Sequence, residues 1–247
     1  MKTIEFGKQH NDVIMLLHGG GLSWWNYKAE AKLLKDQYHV VLPILDGHAG
    51  SDNDFISIEE NASQLISFID KEFGGSVLLI GGLSLGAQIL VEMLTQQNSI
   101  CQNAVIESAS VIPSKLTNAL IKPMFSLSYG LVKMKYFSQM QFDYLHIRKD
   151  LFEDYYRDTS QISKENMIAF LEANTSYEIK PGLQNAHTKV HILVGEKEQK
   201  KMVCSAEQLH KVLSGSVLEI KKGLYHGEYS INCPEEYTKE LLDMINA

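Results

Sequence analysis

Ser76-Val77-Leu78-Leu79-Ile80-Gly81-Gly82-Leu83-Ser84-Leu85-Gly86 decides how this chain folds. After Ser76, the residues Val77-Leu78-Leu79-Ile80 form a short, unbroken apolar run, as expected of a strand buried on both faces. The run ends in glycines, and a serine stands between two of them, Gly82 and Gly86. Helix formers follow over residues 85–97. A serine at a sharp strand-to-helix turn is held out with its hydroxyl free. The tight backbone leaves no room for Cβ atoms at the flanking positions, so glycine is needed there.

Working outward, strands and helices alternate. Val13-Ile14-Met15-Leu16-Leu17 reads as a second buried strand and His39-Val40-Val41-Leu42 as a third. Ala104-Val105-Ile106, Val190–Val194 and Val217–Ile220 add three more. Between them, Tyr27 to Lys35 has an apolar helical side. Ser57-Ile58-Glu59-Glu60 is a capping box that opens a helix burying Leu65, Ile66, Ile69 and Phe73, ended by Gly74-Gly75. A second capping box, Ser205-Ala206-Glu207-Gln208, predicts a helix start at Ser205. Pro234 suits the first turn of a final helix. Such alternation predicts an α/β fold: a mostly parallel central sheet with helices on both faces.

Residues 110–181 break the rhythm. They are rich in aromatics and methionine, carry helical periodicity and hold no clear strand. They read as a helical cap inserted into a core made of residues 1–109 and 182–247. The first part of the insertion is basic and the second acidic, which suits two helical hairpins that pair electrostatically. Leu120, Met124, Phe125, Leu127 and Leu131 are expected to turn toward a substrate pocket, and Trp24 to line it from the core.

Composition narrows the function. The chain has 247 residues, 45% hydrophobic and 21% charged, with a formal net charge of -7. That is ordinary globular composition. The acidic balance and the absence of a Lys/Arg block exclude a nucleic-acid partner. Cys101, Cys204 and Cys233 are scattered, and form neither a disulfide framework nor a metal pattern. Neither a cofactor nor a metal is called for. Met1–Phe6 has no signal-peptide character and residues 76–94 split into strand, turn and helix, so a cytoplasmic protein is expected. Membrane contact is not expected; the Phe- and Met-rich stretch reads as lid packing.

A serine hydroxyl needs a base to become a nucleophile. His226, in Gly223-Leu224-Tyr225-His226-Gly227, follows the last strand and therefore stands at the same sheet edge as Ser84. The base in turn needs a carboxylate. Glu198, after the penultimate strand, is the first choice, Glu196 the second and Glu107 the third. Two backbone N–H groups must face a developing oxyanion. Leu85 supplies one and His18-Gly19-Gly20-Gly21 the other, assigned to Gly20. His18 and His48 read as structural.

Ser84, then an acid, then His226, with His18-Gly19-Gly20-Gly21 upstream, resembles the α/β-hydrolase superfamily. Asp46-Gly47-His48-Ala49-Gly50-Ser51 is similar to a loop common in it. The resemblance implies an eight-stranded sheet, Ser84 as nucleophile and a cap over the pocket. It implies aspartate at the acid position, where this chain has Glu198. The expected activity is hydrolysis of a small, hydrophobic carboxylic ester through an acyl-enzyme. Thioester, lactone or carbon–carbon cleavage would use the same residues. A ligand-binding protein without catalysis is the alternative of a different class.

Overall fold

The computed structural model describes residues 1–247. One sheet of seven strands runs through it: β1 (Thr3–Phe6), β2 (Val13–Leu17), β3 (His39–Pro43), β4 (Val77–Leu83), β5 (Cys101–Glu107), β6 (Lys189–Gly195) and β7 (Val217–Lys221). Their spatial order is β1-β3-β2-β4-β5-β6-β7. Only β1 is antiparallel, pairing Thr3–Phe6 against Val40–Pro43. The sheet has seven strands where the resemblance implies eight; β1, too weakly patterned to be read from sequence, is the only strand beyond β3 on that side.

Ten helices complete the chain: α1 (Lys28–Leu34), α2 (Ile58–Phe73), α3 (Leu85–Gln96), α4 (Lys115–Val132), α5 (Lys135–Tyr144), α6 (Phe152–Thr159), α7 (Lys164–Ser176), α8 (Lys200–Val212), α9 (Glu228–Asn232) and α10 (Pro234–Asn246). The strand period of two sends alternate side chains to opposite faces. In β2, Val13, Met15 and Leu17 join one core with α2, α3 and α8. Ile14 and Leu16 join a second with α1 and α10. All five β2 residues are buried, which explains the unbroken apolar run.

Local signals set the boundaries. Ser57 Oγ accepts a hydrogen bond from Glu60 N at 3.1 Å, and Gly74 ends α2 with φ 71°, a left-handed value that favours glycine. Pro234 stands in the first turn of α10. Ser205 does not open a helix. α8 begins at Lys200, and Ser205 Oγ donates to Lys201 O inside it while accepting from Val111 N. The hydroxyl found partners a turn back and on another segment, so the capping box is coincidental.

α4 to α7 all lie between β5 and β6. Trp25 Nε1 donates to Asp158 Oδ2 at 2.9 Å, tying α6 to the loop after β2. Gln88 Nε2 donates to the carbonyls of Ser110 and Asn174, tying α3 to both ends of the insertion. No helix is long and apolar enough to cross a membrane.

Candidate active site

Ser84 sits between β4 and α3 with φ 53° and ψ -111°. A non-glycine residue there stores on the order of 1–3 kcal/mol of strain, held in place by its surroundings. Ser84 N donates to Glu107 O at 2.9 Å, and Ser84 O accepts from Gln88 N at 2.9 Å. The glycines answer the turn's crowding. A Cβ on Gly82 would lie 2.6 Å from Gly86 O, and one on Gly86 would meet the carbonyls of Leu17 and His18. The elbow is thus pressed against the end of β2, where the glycine loop begins.

That loop leaves one N–H free. Gly19 N donates to Asn26 Oδ1 at 3.3 Å, and Gly21 N to His48 Nε2 at 3.0 Å. Gly20 N, between them, has no partner. Leu85 opens α3, so its N–H has no acceptor within the helix. Gly20 faces Leu85 directly: a Cβ on Gly20 would sit 3.5 Å from Leu85 Cβ. Two unspent N–H groups beside Ser84, one at a helix N-terminus, favour negative charge there.

Two buried histidines hold the loop. His48 Nε2 accepts from Gly21, so its other nitrogen carries the proton and donates to Asp46 O at 3.0 Å. His18 Nε2 accepts from Leu45 N at 3.2 Å, and its Nδ1 donates to Gly19 O at 2.9 Å. Burial pushes His18 down to about 3 and His48 down to about 4, so both remain neutral. Thr159 Oγ1, from α6, donates to Gly21 O at 2.9 Å. Phe170, from α7, stacks on His48 with centroids 4.8 Å apart.

On the far side, His226 Nδ1 donates to Glu198 Oε2 at 2.7 Å. A carboxylate can only accept, so Nδ1 carries a proton, and in the neutral ring Nε2 is the nitrogen with the lone pair. Glu198 Oε1 accepts from Ser108 Oγ at 2.6 Å and Gly195 N at 2.7 Å. The Glu198 side chain is fully shielded, whereas His226 is 44% exposed. Burial opposes ionisation of Glu198. Hydrogen bonds from His226, Ser108 and Gly195 outweigh it and hold the carboxyl below its ordinary value. Ser84 Oγ and His226 are not hydrogen-bonded in this structure. Their loops meet through Leu83, whose side chain would lie 3.0 Å from a Cβ on Gly227.

The other carboxylates are engaged elsewhere. Glu196 Oε2 accepts from Gly223 N at 2.8 Å, and Glu107 Oε1 from Ser230 N at 3.2 Å. Burial raises Glu107 to about 7 and Glu30, nearby in the same core, to about 8. Neither touches His226.

Beside Gly20 lies a mainly apolar cavity of about 430 Å³, walled by Phe125, Met140, Tyr155, Met167 and Phe170. A second cavity, of about 410 Å³, holds His226 and Glu198 with Tyr225 and Met202. Tyr144 and Leu145 border both. Of the six residues expected to turn toward or line the pocket, only Phe125 does. Met124 is 60% exposed on the opposite side of α4, as are Leu120, Leu127 and Leu131 nearby, because α4 turns its other face to α7. Trp24 packs at the edge of the second core, under Lys28. Sequence reasoning missed Ser108 and Thr159. Ser108 carries a signal only in hindsight: a serine at the strand end beside the elbow, with φ 56°.

Comparison with known proteins bears on the fold. No curated protein sequence matches the chain. Solved structures match nearly all of it at low identity. The thermophilic esterase from Thermogutta terrifontis is 14% identical with TM-score 0.81, covering 99% of this chain and 92% of its own. The enol-lactonase from Burkholderia xenovorans LB400 is 13% identical with TM-score 0.83, covering 100% and 96%. An esterase from Exiguobacterium antarcticum is 17% identical with TM-score 0.82, covering 99% and 95%. At such identities the likeness speaks for the fold alone. The sequence model of the alpha/beta hydrolase family matches residues 14–211, most of the sheet and the whole insertion, and the chain therefore belongs to the alpha/beta hydrolase family.

Proposed function

We propose that the protein is a serine hydrolase that cleaves a small, hydrophobic carboxylic ester through an acyl-enzyme. The observation that carries this reading is the relay from Glu198 to His226 Nδ1, which leaves Nε2 as the nitrogen able to serve as base on the same strand-end face as the strained Ser84. His226 Nε2 takes the Ser84 proton as Oγ attacks the acyl carbon. The carbonyl oxygen gains the negative charge, which the N–H groups of Gly20 and Leu85 bind. The intermediate collapses, the carbon–oxygen bond to the alcohol breaks, and His226 returns the proton to the leaving alkoxide. Water, deprotonated by His226, then attacks the acyl-enzyme by the same route and releases the acid.

The apolar cavity beside Gly20 is suited to a hydrocarbon group, with α4 to α7 as its cap. Esterases among the structural neighbours lend the fold-level analogy. The three free cysteines fit a reducing, cytoplasmic setting. Purified protein should hydrolyse short p-nitrophenyl esters, and Ser84→Ala should abolish this while melting at an unchanged temperature. Retained activity in Ser84→Ala would refute the assignment.

A further inference from the structure

Glu107 is a carboxylic acid in a place that stability does not explain. It ends β5, is 2% exposed, and lies on the same face of the strand as Val105, toward the core shared with α1 and α10. One of its oxygens, Oε2, is buried with no hydrogen-bond partner. A polar atom left in that state costs free energy, and an apolar side chain of equal size would avoid the cost.

Its bonds point toward the reacting groups instead. Across the ladder Glu107 stands opposite Leu83, the residue before Ser84, and opposite Leu193, on the strand that leads to Glu198. Its backbone O accepts from Ser84 N at 2.9 Å, which seats the elbow. Its Oε1 accepts from Ser230 N at 3.2 Å, in the first turn of α9, where the helix itself offers no acceptor. α9 is built onto the loop that carries His226. Ile231 N donates to Gly227 O at 3.3 Å, Glu228 N to Tyr225 O at 3.2 Å, and Tyr225 N to Glu228 Oε2 at 2.8 Å. One residue thus holds Ser84 by its main chain and the His226 loop by its side chain. Ser84 Oγ and His226 are not bonded to each other here, and hydrogen bonds of this kind tighten when substrate arrives. How closely the two can meet depends on how their loops are tied.

We propose that Glu107 is a positioning residue of the hydrolysis: by tying α9 to the strand end that seats Ser84, it sets the approach of His226 Nε2 to Ser84 Oγ. It borders neither cavity and so touches no substrate. The proposal rests on the serine-hydrolase reading and adds to it a residue outside the Ser84, His226 and Glu198 relay.

The test is kcat and KM on p-nitrophenyl butyrate for folded variants, with the rate of fluorophosphonate labelling at Ser84 read in parallel. Glu107→Met keeps the size and drops the acceptor. Its kcat should fall about 100-fold, the cost of misplacing a reacting group by roughly 1 Å, with KM within about threefold of wild type. Glu107→Gln restores an acceptor oxygen for Ser230 N and should keep kcat within about threefold. Glu107→Asp sets the carboxyl one methylene back and should lose roughly tenfold in kcat; it carries the test alone if Glu107→Met does not fold. Glu30→Met removes another buried acid, one whose oxygens bond nothing, and should leave kcat and KM unchanged. Labelling rates should follow kcat through the series. Wild-type kcat and labelling in the folded Glu107→Met or Glu107→Asp variant overturn the proposal and leave the hydrolase reading standing. A loss shared by Glu107→Gln or Glu30→Met, or one expressed in KM alone, overturns it equally. A wild-type protein that neither cleaves the ester nor takes the label removes the hydrolase reading and the proposal with it.

Discussion

Replacing Glu198 by glutamine should inactivate the protein for a reason legible in its hydrogen bonds. Glu198 Oε1 accepts from Gly195 N, a group that can only donate. In the Glu198→Gln variant the amide oxygen must therefore take the Oε1 position, where Ser108 Oγ also donates. The amide NH2 group is then left facing His226 Nδ1. Two donors cannot share that contact, so the ring moves its proton to Nε2 and offers Nδ1 as acceptor. In that tautomer Nε2 cannot take a proton from Ser84. The charge that would stabilise the imidazolium is lost as well. An Asp→Asn change in a comparable relay lowers kcat by about 10⁴, and a loss on the order of 10³–10⁴ is expected here. The assay is kcat/KM on p-nitrophenyl butyrate, with circular dichroism to establish folding. Glu196→Gln is the control. Its carboxylate accepts from Gly223 N, a role an amide oxygen fills, so activity should stay within about threefold. A folded Glu198→Gln variant retaining more than a tenth of the activity would refute this reasoning, and so would a larger loss in Glu196→Gln.

Ser108→Ala removes one of three donors to Glu198 without disturbing the other two; kcat/KM should fall about tenfold to a hundredfold, the worth of one hydrogen bond to a charged group. Gly86→Ala should abolish soluble expression or lower stability by roughly 3 kcal/mol or more, because its Cβ has backbone carbonyls in its path. Gly130→Ala, in the interior of α4 with open space around it, should instead stabilise by about 0.5–1 kcal/mol in urea unfolding. Buried Glu107 and Glu30 have folded-state values raised to about 7 and about 8, so the native state holds protons that the unfolded chain has released. Stability from this source is fully present below about pH 4.5 and declines as pH rises from there through 8. Glu107→Gln and Glu30→Gln should flatten that decline in urea unfolding between pH 5 and 9. On the acid side His18 and His48 stay neutral to about 3 and about 4, so stability should also fall as pH drops below 6.5, where the unfolded chain gains those protons first.

The sheet was legible wherever a strand was buried on both faces. β2 and β4 are unbroken apolar runs because helices cover both their sides. β1 was not: its four residues are all partly exposed at the sheet edge, and Thr-Ile-Glu-Phe holds too little pattern to separate from loop. Ser84, His226, Glu198 and the free N–H of Gly20 were legible because each stands at a strand end, and parallel strands gather their C-terminal ends on one edge. Ser108 and Thr159 were not, since a hydroxyl that orients another group has no spacing rule of its own. The insertion misled most. Its apolar period was correct, but a helix with apolar residues nearly all round does not say which side packs. Phe125 faces the cavity, whereas Met124, one residue away, faces out.

The central claim is that Ser84 is a nucleophile activated by His226, and covalent labelling reads that most directly. Intact-mass spectrometry after incubation with a fluorophosphonate should show one adduct per chain, mapped by peptide sequencing to Ser84. Labelling should vanish in Ser84→Ala and slow by orders of magnitude in folded His226→Ala. A folded wild-type protein that takes no label, or takes it on a residue other than Ser84, would contradict the account.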